Sequence, residues 1–373
     1  MKILILSCGT GQGHNSAAYA IEEVLKNRSI DYILTDPLSF GRKKTSDLVA
    51  SAYNGIIKNA PGAFGLIYKA GDLYSSSRLT SPVYFANTLY AKKLKNYILL
   101  NNFTAVITTH LFAMEALTCI KKDKNFKVPC YGVFTDYTCI PFVAETHLNG
   151  YFIPQKDLLP EIVKKGIKEN LTFDTGIPVS QKFCTKLKKE EARKALGLNK
   201  TKPVILIMSG GVGCGNLVKL CKELLKFGNK DFTALVLVGR NRKLKKEIDR
   251  RFFKYNCFKT VSFTKKVNIY MNAADVMVSK PGGLTTTEAA VANIPLVHLL
   301  AFSGCETKNA DFFSSRGMSL LAKNIKSAVE CIWQLIDNKE QADTMLSMQR
   351  TYINPNAAEE IVLKVAEETN DRI

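Results

Sequence analysis

The sequence predicts an α/β protein with two parallel, doubly wound sheets that face a cleft. Short apolar runs alternate with helical stretches along the 373 residues, and parallel sheets with crossover helices require this alternation. Each half also begins in the same way, with an apolar run that ends in a glycine-rich turn before a helix. These observations predict two Rossmann-like domains.

The first half contains five predicted strands. They lie at residues 2–7, 31–35, 105–109, 130–135 and 150–153, and the helices fit residues 16–27, 89–101 and 113–121. A short exit strand and a turn are expected at 175–179. We place a domain boundary there, so that the first domain covers residues 1–178.

The second half repeats the pattern. Its predicted strands lie at residues 204–208, 233–238, 260–263, 276–279, 296–298 and 320–321. Its predicted helices lie at residues 188–196, 216–227, 243–251, 267–273, 285–292, 306–315 and 328–335. The second domain is therefore expected over residues 179–349. The terminal segment 350–373, with a helix at 357–368, is expected to pack back on the first domain.

The composition limits the classes of function. No apolar run is long enough to span a membrane, and no signal peptide is recognised before the first strand. The ten cysteines show neither a C-x-x-C pair nor metal-binding spacing, so a cytoplasmic protein with reduced thiols is expected. The net charge of +19 fits nucleic acid, an anionic membrane surface or phosphorylated substrates. No nucleic-acid-binding motif occurs, and solvated helix faces or a lysine-rich genome are an alternative explanation.

A proline-glycine-glycine turn at Pro281, Gly282 and Gly283 follows a predicted strand and leads into a helix. The amides and the dipole at such a helix N-terminus favour a phosphate. Glu288, expected in the first turn of the helix, would accept hydrogen bonds from a ribose. The alternative is an ordinary strand-to-helix turn.

The N-terminal glycine turn differs from a dinucleotide-binding fingerprint, because His14 stands where the third glycine would fall. Ligands of open α/β sheets bind outside the carboxyl ends of the strands. His14 is therefore well placed to act as a general base, with Gly11 and Gly13 beside it on the acceptor side. The alternative is a solvated histidine near a helix N-terminus. His110, after the strand at 105–109, is expected to line the same cleft.

Residues 61–87 interrupt the alternation. Aromatic and leucine side chains with nearby basic residues suit an interfacial surface on an anionic leaflet. The side chains assigned to this surface are Phe64, Leu66, Tyr68, Tyr84 and Phe85. The alternative is an ordinary helix pair packed against the sheet.

Several motifs occur in an order that resembles the monogalactosyldiacylglycerol synthase and processive diacylglycerol glucosyltransferase family. They lie at residues 9–18, 133–137, 176–179, 209–213, 238–241, 279–288 and 306–310. The resemblance implies the GT-B fold, a UDP-sugar donor, inversion to a β-linkage and a lipid acceptor. Three rival functions remain: an N-acetylglucosaminyltransferase with a polyprenyl-linked acceptor, a UDP-sugar 2-epimerase, and a UDP-sugar-binding protein without turnover.

The resemblance also implies the donor contacts, which all lie in the second domain. They are Gly210, Gly211, Val212, Arg240, Phe263, Val267, Pro281, Gly282, Gly283, Leu284, Thr285, Glu288, Glu306 and Asn309. Phe263 and Val267 would hold the uracil, and Glu306 and Asn309 would face the sugar and its diphosphate. Cys305 stands where the family usually has a glutamine, which leaves the sugar selectivity open.

The family analogy supports His14 as the catalytic base, with Asp136 orienting it or taking its place. A carboxylate that caps a turn is the alternative for Asp136. No metal and no other cofactor are expected, since the chain lacks an Asp-x-Asp pair and a helix N-terminus would stabilise the diphosphate. The expected location is peripheral, on the inner face of the cell membrane.

Overall fold

The strand pairings of the described residues are parallel, as the alternation of strands and helices predicts. The structure, a computed structural model, describes residues 1–9, 12–41, 80–208, 217–227, 231–299 and 304–369. The chain divides into two units, one of Met1–Gln181 with Asn354–Ile373 and one of Lys182–Ile353. The boundaries placed from the sequence lie a few residues before these divisions.

The first unit contains a six-stranded sheet with the order β2-β1-β3-β4-β5-β6. Its strands are β1 (Lys2–Leu6), β2 (Asp31–Thr35), β3 (Ala105–Thr108), β4 (Cys130–Val133), β5 (Gly150–Ile153) and β6 (Thr172–Asp174). Its helices include α1 (Gln12–Asn27), α2 (Pro82–Leu100), α3 (Leu111–Ile120) and α4 (Leu159–Lys164). The exit strand predicted at 175–179 is wrong. The sixth strand ends at Asp174, and the φ of +95° at Gly176 breaks the extended backbone.

The second unit contains a six-stranded sheet with the order β12-β11-β10-β7-β8-β9. Its strands are β7 (Val204–Met208), β8 (Thr233–Gly239), β9 (Phe258–Ser262), β10 (Val276–Ser279), β11 (Leu296–Leu299) and β12 (Leu320–Ala322). Its helices include α5 (Lys189–Ala195), α6 (Leu217–Lys226), α7 (Arg242–Phe252), α8 (Val267–Ala273), α9 (Gly283–Ala292), α10 (Cys305–Ser315), α11 (Ile325–Asp337) and α12 (Lys339–Tyr352).

The last helix, α13 (Ala357–Glu368), belongs to the first unit. Its buried residues Ile361, Val362 and Val365 share one apolar core with Ile3 of β1 and Ile21 of α1. Burial of aliphatic side chains of this size stabilises a fold by about 1.5–3 kcal/mol each. The core of the first unit is therefore completed by residues from the far end of the chain.

Helix α2 begins earlier than the sequence predicts. Pro82 occupies its first turn, and the Ser81 hydroxyl accepts a hydrogen bond from the Tyr84 N–H at 3.0 Å, so that Ser81 is the N-cap. Tyr84 consequently faces inward and is 5% exposed, which makes its assignment to an interfacial surface wrong. In the described ranges, no helix combines the length and the apolar character needed to cross a bilayer.

A buried polar cluster joins α2 to α3. The Glu115 side chain is fully buried and accepts a hydrogen bond from Asn87 Nδ2 at 2.5 Å. The single hydrogen of Tyr90 Oη is shared between two acceptors, Asn87 Oδ1 at 2.8 Å and the Phe112 carbonyl oxygen at 3.0 Å. Burial raises the pKa of Glu115 to about 9, against the opposing hydrogen bond from Asn87 and with a further rise from Glu145. Glu115 is therefore protonated at neutral pH.

We expect Glu115 to make the free energy of unfolding depend on pH. Between pH about 4.5 and pH about 9, the folded chain keeps the Glu115 proton and the unfolded chain loses it. The stabilisation that comes from this proton is therefore complete below the pKa of Glu115 in the unfolded chain. It decreases by about 1.4 kcal/mol per pH unit as the pH rises towards the folded pKa. Glu115→Gln, which is neutral at every pH, should remove this slope in urea unfolding experiments.

The matched control is Glu169→Gln, which changes an exposed glutamate of the same unit and should keep the slope of the parent protein. If Glu115→Gln and the parent show the same pH dependence of unfolding, the buried neutral acid is contradicted.

Candidate active site

The carboxyl edge of the first sheet brings together the residues predicted for catalysis. The strand order reverses direction between β1 and β3, and such a switch point is where open α/β sheets bind ligands. His14 lies on α1 after β1, His110 follows β3, and Asp136 follows β4. Because these three strands are neighbours, their carboxyl ends place the three side chains at one edge.

His14 is held by the residues after β3 and β4. Its Nδ1 lies 2.7 Å from the Thr109 carbonyl oxygen and 3.1 Å from Thr135 Oγ1. The Thr109 hydroxyl donates to the His14 carbonyl at 3.0 Å. A carbonyl accepts only from a protonated nitrogen, so Nδ1 carries the hydrogen and Nε2 of the neutral ring is an acceptor.

The surroundings favour the neutral form of His14. Burial lowers its pKa below the ordinary value, while the Asp136 carboxylate and the Thr109 carbonyl act in the opposite direction. A neutral imidazole with a free lone pair on Nε2 is the form that a general base needs. Asp136 thus acts on His14 through its charge.

A small pocket of the first unit is lined by His14 and Asp136. The other lining residues are mainly apolar and include Leu111, Met114, Val133, Phe134, Ile140 and Val143. Gly13 lies one residue before His14 in α1 and is half-buried. The pocket therefore places a proton acceptor beside a mainly apolar lining.

The proline-glycine-glycine turn of the second unit lies at the carboxyl end of β10. Gly282 is the N-cap of α9, and the Thr286 N–H donates to its carbonyl at 3.0 Å. The helix starts at Gly283, two residues earlier than predicted, so Gly283, Leu284 and Thr285 form its first turn. Amides of a first turn have no acceptor within the helix, which gives this turn the character of an anion site.

Glu288 lies in the second turn of α9, since the helix begins at Gly283, and not in the first turn as predicted. It is half-buried. Burial raises its pKa to about 7, and the charge of Lys182 lowers it. Near neutral pH its carboxyl group is therefore available both as a donor and as an acceptor of hydrogen bonds.

Helix α10 is tied to the glycine turn by two side chains. Asn309, fully buried, donates from Nδ2 to the Pro281 carbonyl at 3.0 Å, and Lys280 forms an ion pair with Glu306. Sequence reasoning missed Lys280. A cation directly before a predicted phosphate turn was the available signal. Cys305 begins the same helix, next to Glu306.

Arg240 and Phe263 meet at another part of the second unit, where the guanidinium carbon lies 4.8 Å from the centre of the ring. Phe263 is 47% exposed, and Val267 begins α8 nearby in sequence. The remaining predicted site residues, Gly11, Gly210, Gly211, Val212, Phe64, Leu66 and Tyr68, lie outside the described residues. Within the described ranges, no group of three or more His, Cys, Asp or Glu side chains is arranged to hold a metal ion.

Comparisons with known proteins find relatives of both units. Residues 14–179 match the monogalactosyldiacylglycerol (MGDG) synthase family, and residues 204–361 match the glycosyltransferase family 28 C-terminal domain. The chain is 23% identical over 373 residues to a processive diacylglycerol beta-glucosyltransferase of Bacillus pumilus. The aligned region covers 99% of this chain and 95% of the relative.

Two solved structures are similar over nearly their whole length. MurG of Acinetobacter baumannii has a TM-score of 0.66 at 14% identity, covering 98% of this chain and 99% of its own. The structure of Staphylococcus aureus MnaA with UDP has a TM-score of 0.66 at 13% identity, covering 99% of this chain and 97% of its own. The predicted GT-B fold is confirmed.

We expect Asn309 to stabilise the second unit as well as its glycine turn. Asn309→Ala leaves the Pro281 carbonyl without its buried donor and should cost about 1–3 kcal/mol of unfolding free energy. UDP binding should weaken at the same time, because the turn loses its support. Both are measurable, by denaturant unfolding and by calorimetric titration with UDP.

Asn256→Ala, at an exposed position of the same unit, is the control and should leave both quantities near the parent values. Parent-like stability in Asn309→Ala would mean that the bond to Pro281 is dispensable.

Proposed function

Since the chain belongs to the monogalactosyldiacylglycerol synthase family, within glycosyltransferase family 28, we propose that it is an inverting glycosyltransferase. It transfers a hexose from a UDP-sugar to diacylglycerol or a similar lipid and forms a β-glycolipid. The observation that carries the proposal is the His14 imidazole, held neutral with Nε2 as the acceptor beside an apolar pocket.

The acceptor step follows from His14. The oxygen of the lipid hydroxyl attacks C1 of the donor sugar while His14 Nε2 takes the hydroxyl proton. The bond between C1 and the UDP oxygen breaks on the opposite face of the sugar. The proton remains on the imidazole, where the charge of Asp136 stabilises it. UDP leaves with the electron pair of the broken bond. General-base assistance of this kind contributes about 10²–10⁴-fold to a rate.

The donor step follows from the glycine turn. The amides and the dipole of α9 stabilise the negative charge that develops on the diphosphate. A Cβ added at Gly282 would meet no atom within 4 Å, so a side chain there would occupy the space before the helix. The Lys280 ammonium, which is paired with Glu306, lies at the same turn. We propose that these groups serve in place of a metal ion, and that Glu288 binds the ribose.

The other donor contacts have separate supports. Phe263 is exposed and contacts the Arg240 guanidinium, so part of its surface is open to a uracil ring. Glu306 is fixed by Lys280 at the start of α10, where it would meet the sugar. Because Cys305 is a poor hydrogen-bond partner, hexose recognition rests on Glu306.

We also propose that the first unit works on an anionic membrane surface, at its cytoplasmic face. Helix α2 exposes Phe85 at 60% and Leu89 at 86%, and the exposed Lys92 and Lys93 follow one turn later. Aromatic and leucine side chains enter the headgroup boundary, and basic residues are attracted to anionic lipid. The nine cysteines of the described ranges are in the thiol form, which fits a reducing compartment.

The reaction is tested directly with vesicles that contain diacylglycerol and with UDP-glucose, UDP-galactose and UDP-N-acetylglucosamine in parallel. We expect a glycosylated diacylglycerol by mass spectrometry with one of the two hexose donors, and we expect EDTA to leave its rate largely unchanged. Strict dependence on Mg²⁺ or Mn²⁺ would contradict the helix-terminus site. A product formed only on a polyprenyl-linked acceptor would contradict the lipid acceptor.

His14→Ala in the same assay should lower turnover by about a hundredfold or more, within the range for loss of a general base. UDP affinity should stay near that of the parent, because the predicted UDP contacts belong to the second unit. Parent-like turnover in His14→Ala would contradict its role as the base.

The membrane proposal predicts that vesicle binding depends on the outer face of α2. Phe85→Ser combined with Leu89→Ser should reduce flotation with anionic vesicles. Binding of the parent protein should decrease as the salt concentration rises, because physiological salt screens charges beyond a Debye length of about 8–10 Å. Phe253→Ser, at a position 73% exposed in the second unit, is the matched control. Equal binding to neutral and anionic vesicles would contradict the proposed surface.

A further inference from the structure

His110 packs directly against His14 at the switch point of the first sheet. The two ring centroids lie 4.6 Å apart with an interplanar angle of 69°, and the Phe112 ring contacts His110 at the same centroid distance of 4.6 Å. His110 is only 7% exposed. His14 is half-buried beside it. The edge-to-face contact with the buried His110 ring limits rotation of the His14 imidazole, so His110 fixes the plane of that imidazole.

The two histidines are held as opposite tautomers. His110 is the N-cap of α3, and its Nδ1 accepts a hydrogen bond from the Phe112 N–H at 3.2 Å. The hydrogen of neutral His110 is therefore on Nε2, whereas that of His14 is on Nδ1. Protonation of His110 would turn the capping acceptor into a donor and break the cap. The cap thus keeps His110 uncharged.

Burial sets the balance of charge at His14. The imidazolium form is favoured by Asp136, after β4, and by the Thr109 carbonyl, and it is disfavoured by burial. His110 provides part of that burial because its ring covers one side of His14. Burial also lowers the pKa of His110 well below its ordinary value, and the charge of His14 lowers it further. A proton arriving at this pair therefore goes to His14.

We propose that His110 is a positioning residue of the transfer reaction. Its neutral ring excludes water from one side of His14 and fixes the imidazole plane, so that His14 stays uncharged and its Nε2 stays available for the acceptor proton. This role rests on the proposed function of His14 as the base. Without His110, water reaches the imidazolium and Asp136 draws the proton onto His14.

Two substitutions separate the ring of His110 from its cap. His110→Asn keeps a good N-cap acceptor and removes the ring, whereas His110→Phe keeps a ring and removes the acceptor. The control is His147→Asn, which changes an exposed histidine. The chain has four histidines, so ring-labelled protein gives four imidazole signals that these variants and His14→Ala assign.

We expect the pKa of His14, measured by NMR titration, to rise by about one pH unit in His110→Asn. The reason is that His14 regains contact with water and keeps the Asp136 carboxylate as its neighbour. It should stay near the parent value in His110→Phe and in His147→Asn. The acid limb of the kcat/KM profile should move with it, giving about a tenfold loss below both pKa values that is recovered at higher pH. His110→Phe should instead lower the Tm.

The proposal is overturned if His110→Asn leaves the pKa of His14 unchanged, because His110 then acts only as a helix cap. It is also overturned if the pKa rises and the acid limb of kcat/KM does not. The NMR titration needs no substrate, so it tests the coupling of the two rings separately from the proposed function. That function is judged by whether the parent protein forms a glycolipid.

Discussion

The hydrogen bond between His14 Nδ1 and the Thr109 carbonyl is the interaction on which the first site depends. It joins the helix after β1 to the end of β3, the two strands between which the sheet order changes direction. It also selects the tautomer of His14 and thereby decides which nitrogen can take a proton. One contact thus links the edge of the sheet, the start of α1 and the chemistry of the base.

The second unit uses the same edge of a parallel sheet for a different purpose. Its glycine turn offers backbone amides in place of a side-chain base, and the neighbouring helix α10 holds that turn through Asn309 and Lys280. A backbone site needs such support because its donors cannot adjust by rotating a side chain. In the proposed reaction the two units therefore divide the chemistry, with proton removal in one and stabilisation of negative charge in the other.

Much of the fold was predictable, because buried parallel strands are continuous apolar runs and glycine turns mark their carboxyl ends. The sequence signal failed where tertiary contacts decide the structure. Helix α12 was missed because its buried face is short and partly polar, with Ala342, Met345 and Gln349. Tyr84 was placed at the surface because nothing local shows which side of α2 faces the core. Single-residue reasoning singled out His14 and Asp136, but it did not single out Lys280, whose partner Glu306 is distant in the sequence.

Helix α13 gives the first unit a discontinuous core, because its side chains pack between residues of β1 and α1 from the opposite end of the chain. During synthesis β1 emerges from the ribosome long before α13. The first sheet is therefore synthesised long before its core can close. Its apolar face lacks the α13 side chains until the whole second unit has been synthesised. The second unit is continuous in sequence and has no such delay. It can fold first, although it is translated later.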